Sequence, residues 1–141
     1  MRKGVAHEYG FGWKNSDIIQ ICRLIDKEIP KHALFIQPFA CTELKFHARA
    51  SSYVDWKAFV RRQHVLLEWH RRIQLVYGIS ADDVQKGFAL CQKADEYFYN
   101  LDANRAAILK NEGVTHVLTT NKNLTFGKLL FHNASYAVYQ L

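Results

Sequence analysis

Six side chains stand out by type and spacing: Gln37, Arg49, Asp55, Lys57, Glu68 and Arg72. Together they offer one amide, two carboxylates and three cations, a set suited to a small polar pocket or to an ion-pair lattice. Glu68 and Arg72 are four apart, which puts an acid and a base on the same face of a helix. Asp55 and Lys57 are two apart, so they share one face wherever a strand carries both. If two parallel strands end side by side, Gln37 meets Asp55 and Lys57 there, and Arg49 enters from the turn before the second strand. The structural form of this group fixes a helix to a sheet edge. The functional form is a polar site for a small ligand.

Catalytic chemistry has no comparable spacing. Seven histidines are present, but none stands in an H-x-x-x-H or H-E-x-x-H pattern, and His64 and His70 are six apart. Cys22, Cys41 and Cys91 contain no C-x-x-C, so neither a zinc ribbon nor a dithiol motif is formed. There is no G-x-S-x-G nucleophile turn. Gly10-Phe11-Gly12 is followed by no G-K-S/T and is not a phosphate loop. Cys41 falls just past the carboxyl end of the first expected strand, where open α/β sheets keep their ligands. Cys22 and Cys91 fall on expected apolar helix stripes, as buried spectators. No catalytic residue, metal ligand or cofactor is assigned.

The formal charge is +6, from 19 Lys and Arg against 13 Asp and Glu. Lys57, Arg61, Arg62, Arg71 and Arg72 would be the cations of a polyanion site. Successive helical residues are about 100° apart, so Arg61, Arg62 and Arg72 do not form one tight cluster. No nucleic-acid motif accompanies them, and nucleic acid is disfavoured as a partner. The first residues carry charge without the apolar stretch of a signal peptide. Apolar runs such as Ala33–Ile36 are far shorter than the ~20 residues of a membrane span.

The elements that must position these residues follow from periodicity. Ile18, Ile21, Cys22, Ile25 and Ile29 recur at helical spacing, with Ser16 as the expected cap and Pro30 as the stop. Ala33–Ile36 reads as a strand covered on both faces. Thr42 caps a short helix, and Ser52–Asp55 reads as a second strand. Val65, Leu66, Trp69, Ile73 and Val76 form the stripe of a helix over 61–77, closed by Gly78. Val84, Phe88, Cys91 and Phe98 mark the next helix, and Asp102 caps another. Val114–Thr119 is a third strand, and 128–131 with 136–141 form a hairpin. This order implies an α/β fold: a three-layer-like sheet, parallel in its first part, with helices packed on it and a C-terminal antiparallel β-hairpin. Residues 1–15 are expected to be an arm, and 16–141 a single domain.

Several strings within this pattern carry a resemblance: Pro30, Phe46 with Arg49, Val54-Asp55-Trp56-Lys57, and Glu68-Trp69 with Arg72. The chain resembles the soluble C-terminal domain of a family of uncharacterised bacterial polytopic membrane proteins, similar in layout to C-type glycosyltransferases. The similarity runs over roughly 16–141. It implies a non-catalytic extramembrane domain with a binding or structural role, on the periplasmic or extracellular side, whose partner is the transmembrane part of its own longer chain. A small-molecule ligand is compatible with it. One alternative is a stand-alone α/β enzyme or ligand binder with its site at Gln37, Cys41, Arg49 and Asp55, cytoplasmic if the chain is complete. The second is a polyanion-binding module.

Overall fold

A computed structural model describes residues 13–39, 41–54, 63–80, 82–83 and 87–141, with side chains from Asp17 onward. Asp55, Lys57, Arg61 and Arg62 therefore lie outside the described residues, as do positions 1–12 of the expected arm. The last positions of that arm are helical instead, since α1 runs Trp13–Glu28 and starts ahead of Ser16. Its inward stripe is the expected one: Ile18, Ile21, Cys22 and Ile25 are buried. The chain then forms β1 (Leu34–Ile36), α2 (Glu43–His47), β2 (Ser51–Ser52), α3 (Gln63–Tyr77), α4 (Gly87–Tyr99) and α5 (Ala103–Asn111). It closes with β3 (His116–Thr119), β4 (Lys128–His132) and β5 (Ala137–Gln140).

The strands make one mixed sheet in the order β2-β1-β3-β5-β4. β1 pairs in parallel with both β2 and β3. β5 returns antiparallel to β3, and β4 closes the edge antiparallel to β5. This is the α/β architecture that the alternation of helices and strands implies. Side chains alternate across the sheet with period two. Ile36, Val117 and Tyr139 thus face the core under α3, α4 and α5, with Ile73, Val76, Phe98 and Leu109. Phe35, Leu118 and Val138 face the core under α1 and α2, with Ile21, Ile25 and Leu44. All four residues of β3 are buried, as a mid-sheet strand covered on both faces requires. His116 among them stacks on Phe35 with ring centroids 5.1 Å apart.

Helix ends follow their residues in most places. Asp102 caps α5 by accepting from Arg105 N–H at 2.7 Å. Gly78 ends α3 at φ +65°, and a Cβ there would stand 2.7 Å from the Tyr97 ring, so both backbone and space call for glycine. Thr42 occupies the cap position of α2, but its side chain makes no capping hydrogen bond.

Two apolar stripes are shorter than their periodicity suggests. Ile73 and Val76 of α3 are buried, but Val65 and Leu66 are exposed. In α4, Ala94 and Phe98 are buried, whereas Phe88 is 82% exposed and Cys91 is half-buried. The close seat of Gly78 on Tyr97 brings α3 against α4 near the carboxyl ends of both helices, where the buried residues lie.

Candidate functional site

The sheet has a switch point at β1. One crossover leaves β1 through α2 to β2, and the other returns from β2 through α3, α4 and α5 to β3 on the opposite flank. The helices of these two connections cover opposite faces, so the chain parts at the carboxyl end of β1. Such a point is where open α/β sheets form a ligand crevice.

The segment leaving β1 is held at several points. Tyr77 of α3 donates its hydroxyl to the backbone oxygen of Gln37 at 2.6 Å. Asp95 of α4 accepts the Phe39 N–H at 3.0 Å. Cys41 N–H donates to Pro38 O at 3.1 Å. The Phe39 ring meets Tyr77 edge-on, with centroids 5.3 Å apart. Gln37 itself is 3% exposed, and its side-chain Oε1 has no hydrogen-bond partner among the described residues. Leaving such an acceptor unmet costs roughly 1–3 kcal/mol.

Continuing the alternation of β1, Gln37 falls on the face of Phe35. Cys41 and Tyr136 pack against that same core. Tyr136 is brought there by the chain entry into β5, since Ala137 pairs with Thr119 at the end of β3. Tyr99 of α4 packs against the core on the other face and bonds the Thr120 side chain. The resulting electrostatics are those of a dry, mildly negative place. Burial pushes the Cys41 thiol up to about 11, and Glu43 adds to the rise. Burial pushes Tyr136 up to about 12 and raises Tyr99 as well. It also raises Asp95, against the pull of the Phe39 N–H. A thiol so shifted is protonated at neutral pH and is a poor nucleophile.

A second polar group lies at the β2 edge. Arg71 donates to both oxygens of Glu68, at 2.9 and 2.7 Å, and to both oxygens of Glu112, at 2.7 and 2.6 Å. Arg72 donates to Glu68 at 3.0 Å and to Tyr53 O at 3.1 Å, and its guanidinium stands 4.5 Å over the Tyr53 ring. The Tyr53 hydroxyl donates to Glu112. Hydrogen bonds from Arg71 and then Arg72 hold the Glu68 carboxyl down at about 2. The lattice ties α3 to the residue after β2 and to the end of α5.

The four described residues of the six singled out by spacing thus separate. Glu68 and Arg72 pair, as their spacing predicts. Of the four described, Gln37 alone lies at the carboxyl end of β1. Arg49 does not enter from the turn to join Glu68 and Arg72. It pairs with Asp26 of α1 at 2.9 Å, on the other face of the sheet. Its backbone is left-handed, with φ 53°, and the turn from α2 into β2 runs on the α1 side. Asp55 and Lys57 lie outside the described residues. Of the cations in the polyanion reading, the two described, Arg71 and Arg72, are engaged by carboxylates. Sequence reasoning missed Tyr53, Arg71 and Glu112 in the lattice, and Asp95, Tyr99 and Tyr136 in the crevice. Their positions depend on pairings between elements distant in the chain, which no local spacing carries. Among the described residues no three His, Cys, Asp or Glu side chains are grouped to hold a metal ion.

Residues 16–76 match one protein family. It is described as a domain of unknown function (DUF6798). The matched segment runs from α1 to the end of α3, and includes Gln37, Cys41, Arg49, Glu68 and Arg72. Asp95, Tyr99, Glu112 and Tyr136 lie beyond it. No curated protein and no solved structure matches the chain.

Proposed function

We propose that this chain is a non-catalytic α/β binding domain, the extramembrane part of a larger bacterial membrane protein, with its ligand site in the crevice at the carboxyl ends of β1 and β3. The observation that carries the binding role is the buried Gln37 Oε1, left without a partner on a segment that is otherwise firmly hydrogen-bonded. Buried polar groups in native proteins are nearly always satisfied, and an exception at a switch point is what a pre-organised ligand site requires. The protonated thiol of Cys41 supports a binding role over a nucleophilic one. The membrane origin is supported by the sequence resemblance over 16–141. On this reading the spanning part is supplied by residues of a longer chain; no described helix is long and apolar enough to cross a membrane.

Two measurements test this. Amide spectra of the labelled domain, titrated with the small-metabolite fraction of a bacterial extract, are expected to move around Gln37, Cys41, Asp95, Thr120 and Tyr136. The lattice amides should stay still. No response in the crevice overturns the binding role. Fractionation of source cells with an antibody to the domain is expected to show a large band in the membranes, and protease added to intact cells or spheroplasts should cleave it. A soluble band the size of this chain defeats the membrane assignment.

A further inference from the structure

The outer side of α1 is hollow where a lone helix would be convex. Ile18, Ile21, Cys22 and Ile25 turn inward, so Ile19, Gln20, Arg23, Leu24 and Lys27 stand on the far side of the helix. These five line a cavity of about 420 Å³, and among the described residues no other element lines it. Ile19 and Leu24 are half-buried at the rim of the core, whereas Gln20, Arg23 and Lys27 are exposed. The described lining holds two cations and no acid. The nearby Asp26 is taken by Lys31 and Arg49 on the next flank. A hollow on one helix needs a second wall. Here that wall has to bring apolar side chains to Ile19 and Leu24 and a carboxylate to Arg23 and Lys27.

We infer that the second wall is the chain's own first segment, folded back along α1, with Tyr9 and Phe11 over Ile19 and Leu24 and the Glu8 carboxylate at Arg23 and Lys27. Residues 1–12 lie outside the described residues and end where α1 begins. Helix rise puts Ile19, Arg23 and Leu24 about 9, 15 and 16 Å from Trp13. An extended chain covers about 3.3 Å per residue, so Phe11, Tyr9 and Glu8 reach about 7, 13 and 16 Å back from the same point. Tyr9 and Phe11 are two apart and share one side of an extended segment. Gly10 and Gly12 supply the bends for the reversal. Glu8 is the only acid ahead of Asp17, and it falls level with the cations. A second copy of the chain would instead set these cations against their own kind, under a net charge of +6 on each copy.

Nuclear Overhauser contacts and amide exchange in the whole chain test this. Cross-peaks are expected from the ring protons of Tyr9 and Phe11 to the methyls of Ile19 and Leu24. The amides of residues 8–11 should exchange about tenfold or more slowly than in a free chain, as a locally opening segment does. Tyr9→Ser with Phe11→Ser should remove the contacts and restore free-chain exchange there, with the sheet amides unchanged as the control for folding. Glu8→Lys should cost part of the protection, and so should 1 M salt acting on the wild type. Free-chain exchange over 8–11 without cross-peaks overturns the inference. Ring contacts to any element other than α1 do the same. Cross-peaks that arise only between differently labelled chains make a second copy the occupant, and overturn it too. Exchange unchanged in both variants shows that the protection comes from elsewhere, and is equally fatal.

Discussion

The lattice at the β2 edge and the crevice at the end of β1 are both polar, and they are built in opposite ways. In the lattice every carboxylate has its donors: Glu68 and Glu112 each take both oxygens' worth from Arg71, and Arg72 and Tyr53 add to them. The groups are charged, half-exposed and complete. In the crevice the groups are mostly neutral, only Gln37 is fully buried, and its side-chain oxygen has no partner among the described residues. A saturated network has nothing to offer a ligand without first breaking a bond within the protein. An unsaturated one has already met the cost of ordering and lacks only its partner. Density of charge, which draws the eye to 68–72 in the sequence, therefore marks a network whose described groups are already satisfied.

The sharpest way to break this comparison is to remove one phenol hydroxyl from each region. Tyr77→Phe deletes the donor to a buried Gln37 carbonyl that has been withdrawn from water. The expected loss is about 1–3 kcal/mol of unfolding free energy. Tyr53→Phe deletes a donor to Glu112, which keeps two bonds from Arg71, and a loss of only about 0.5–1.5 kcal/mol is expected. Denaturant midpoints of the two variants measure the difference. Equal losses would mean that the segment after β1 is no more dependent on its anchors than the lattice is.

The ease with which the fold can be read, against the obscurity of the crevice, has a physical origin. Helical and strand periodicity is local, and it places all ten described elements in the right order, from the isoleucine stripe of α1 to the hairpin around Asn133. Even the capping role of Asp102 and the need for glycine at 78 are legible, because both are decided within one turn. Gln37 and Cys41 can be placed at a strand end for the same reason. What meets them there cannot. Asp95 comes from a helix 56 positions on in the chain, and Tyr136 from the start of the last strand. Arg49 shows the converse error. Its proximity in sequence to 55 and 57 suggests one cluster, but a single left-handed residue turns it to Asp26 instead. Phe88 and Val65 misled because periodicity says which face is apolar, not how far along the helix a neighbour extends.

The two regions should also divide the pH profile of stability between them. In the crevice the folded state holds its protons longer than the unfolded chain does. The Cys41 thiol moves from 9.0 to about 11, and Tyr136 from 10.0 to about 12. As pH rises past 9 the unfolded chain ionises first, so stability falls between about pH 9 and pH 12. For the lattice carboxylates the sign is reversed, although the Tyr53 hydroxyl beside them is raised to about 12. Glu68 is held near 2 against 4.5, so the unfolded chain takes up its proton first, and stability falls as pH drops from 4.5 towards 2. Urea midpoints across this range should show both limbs. Cys41→Ala with Tyr136→Phe should make the alkaline limb shallower and leave the acid one, the remainder coming from Cys22 and Tyr53, both raised to about 12. Glu68→Gln should make the acid limb shallower and leave the alkaline one, with Asp26, held near 2, carrying the remainder. If either variant flattens both limbs, the two regions are coupled and the distinction between them fails.

The smallest expected effect is the most discriminating about the lattice. Glu68, Arg71 and Arg72 are 41%, 49% and 38% exposed, so water and salt screen their attraction. Glu68→Gln keeps the volume and some hydrogen bonding, and is expected to cost about 0.2–1 kcal/mol at low ionic strength. At 1 M salt the screening length is about 3 Å, and most of that cost should disappear. The amides around Gln37 should not move in this variant. Arg49→Ala, which loses an exposed pair with Asp26 on the other face, should lower the melting temperature less still. A loss for Glu68→Gln that persists undiminished in high salt would show a desolvated network rather than a solvated clasp. The lattice would then belong with the crevice as buried polar chemistry, and charge density at 68–72 would regain its claim as a site.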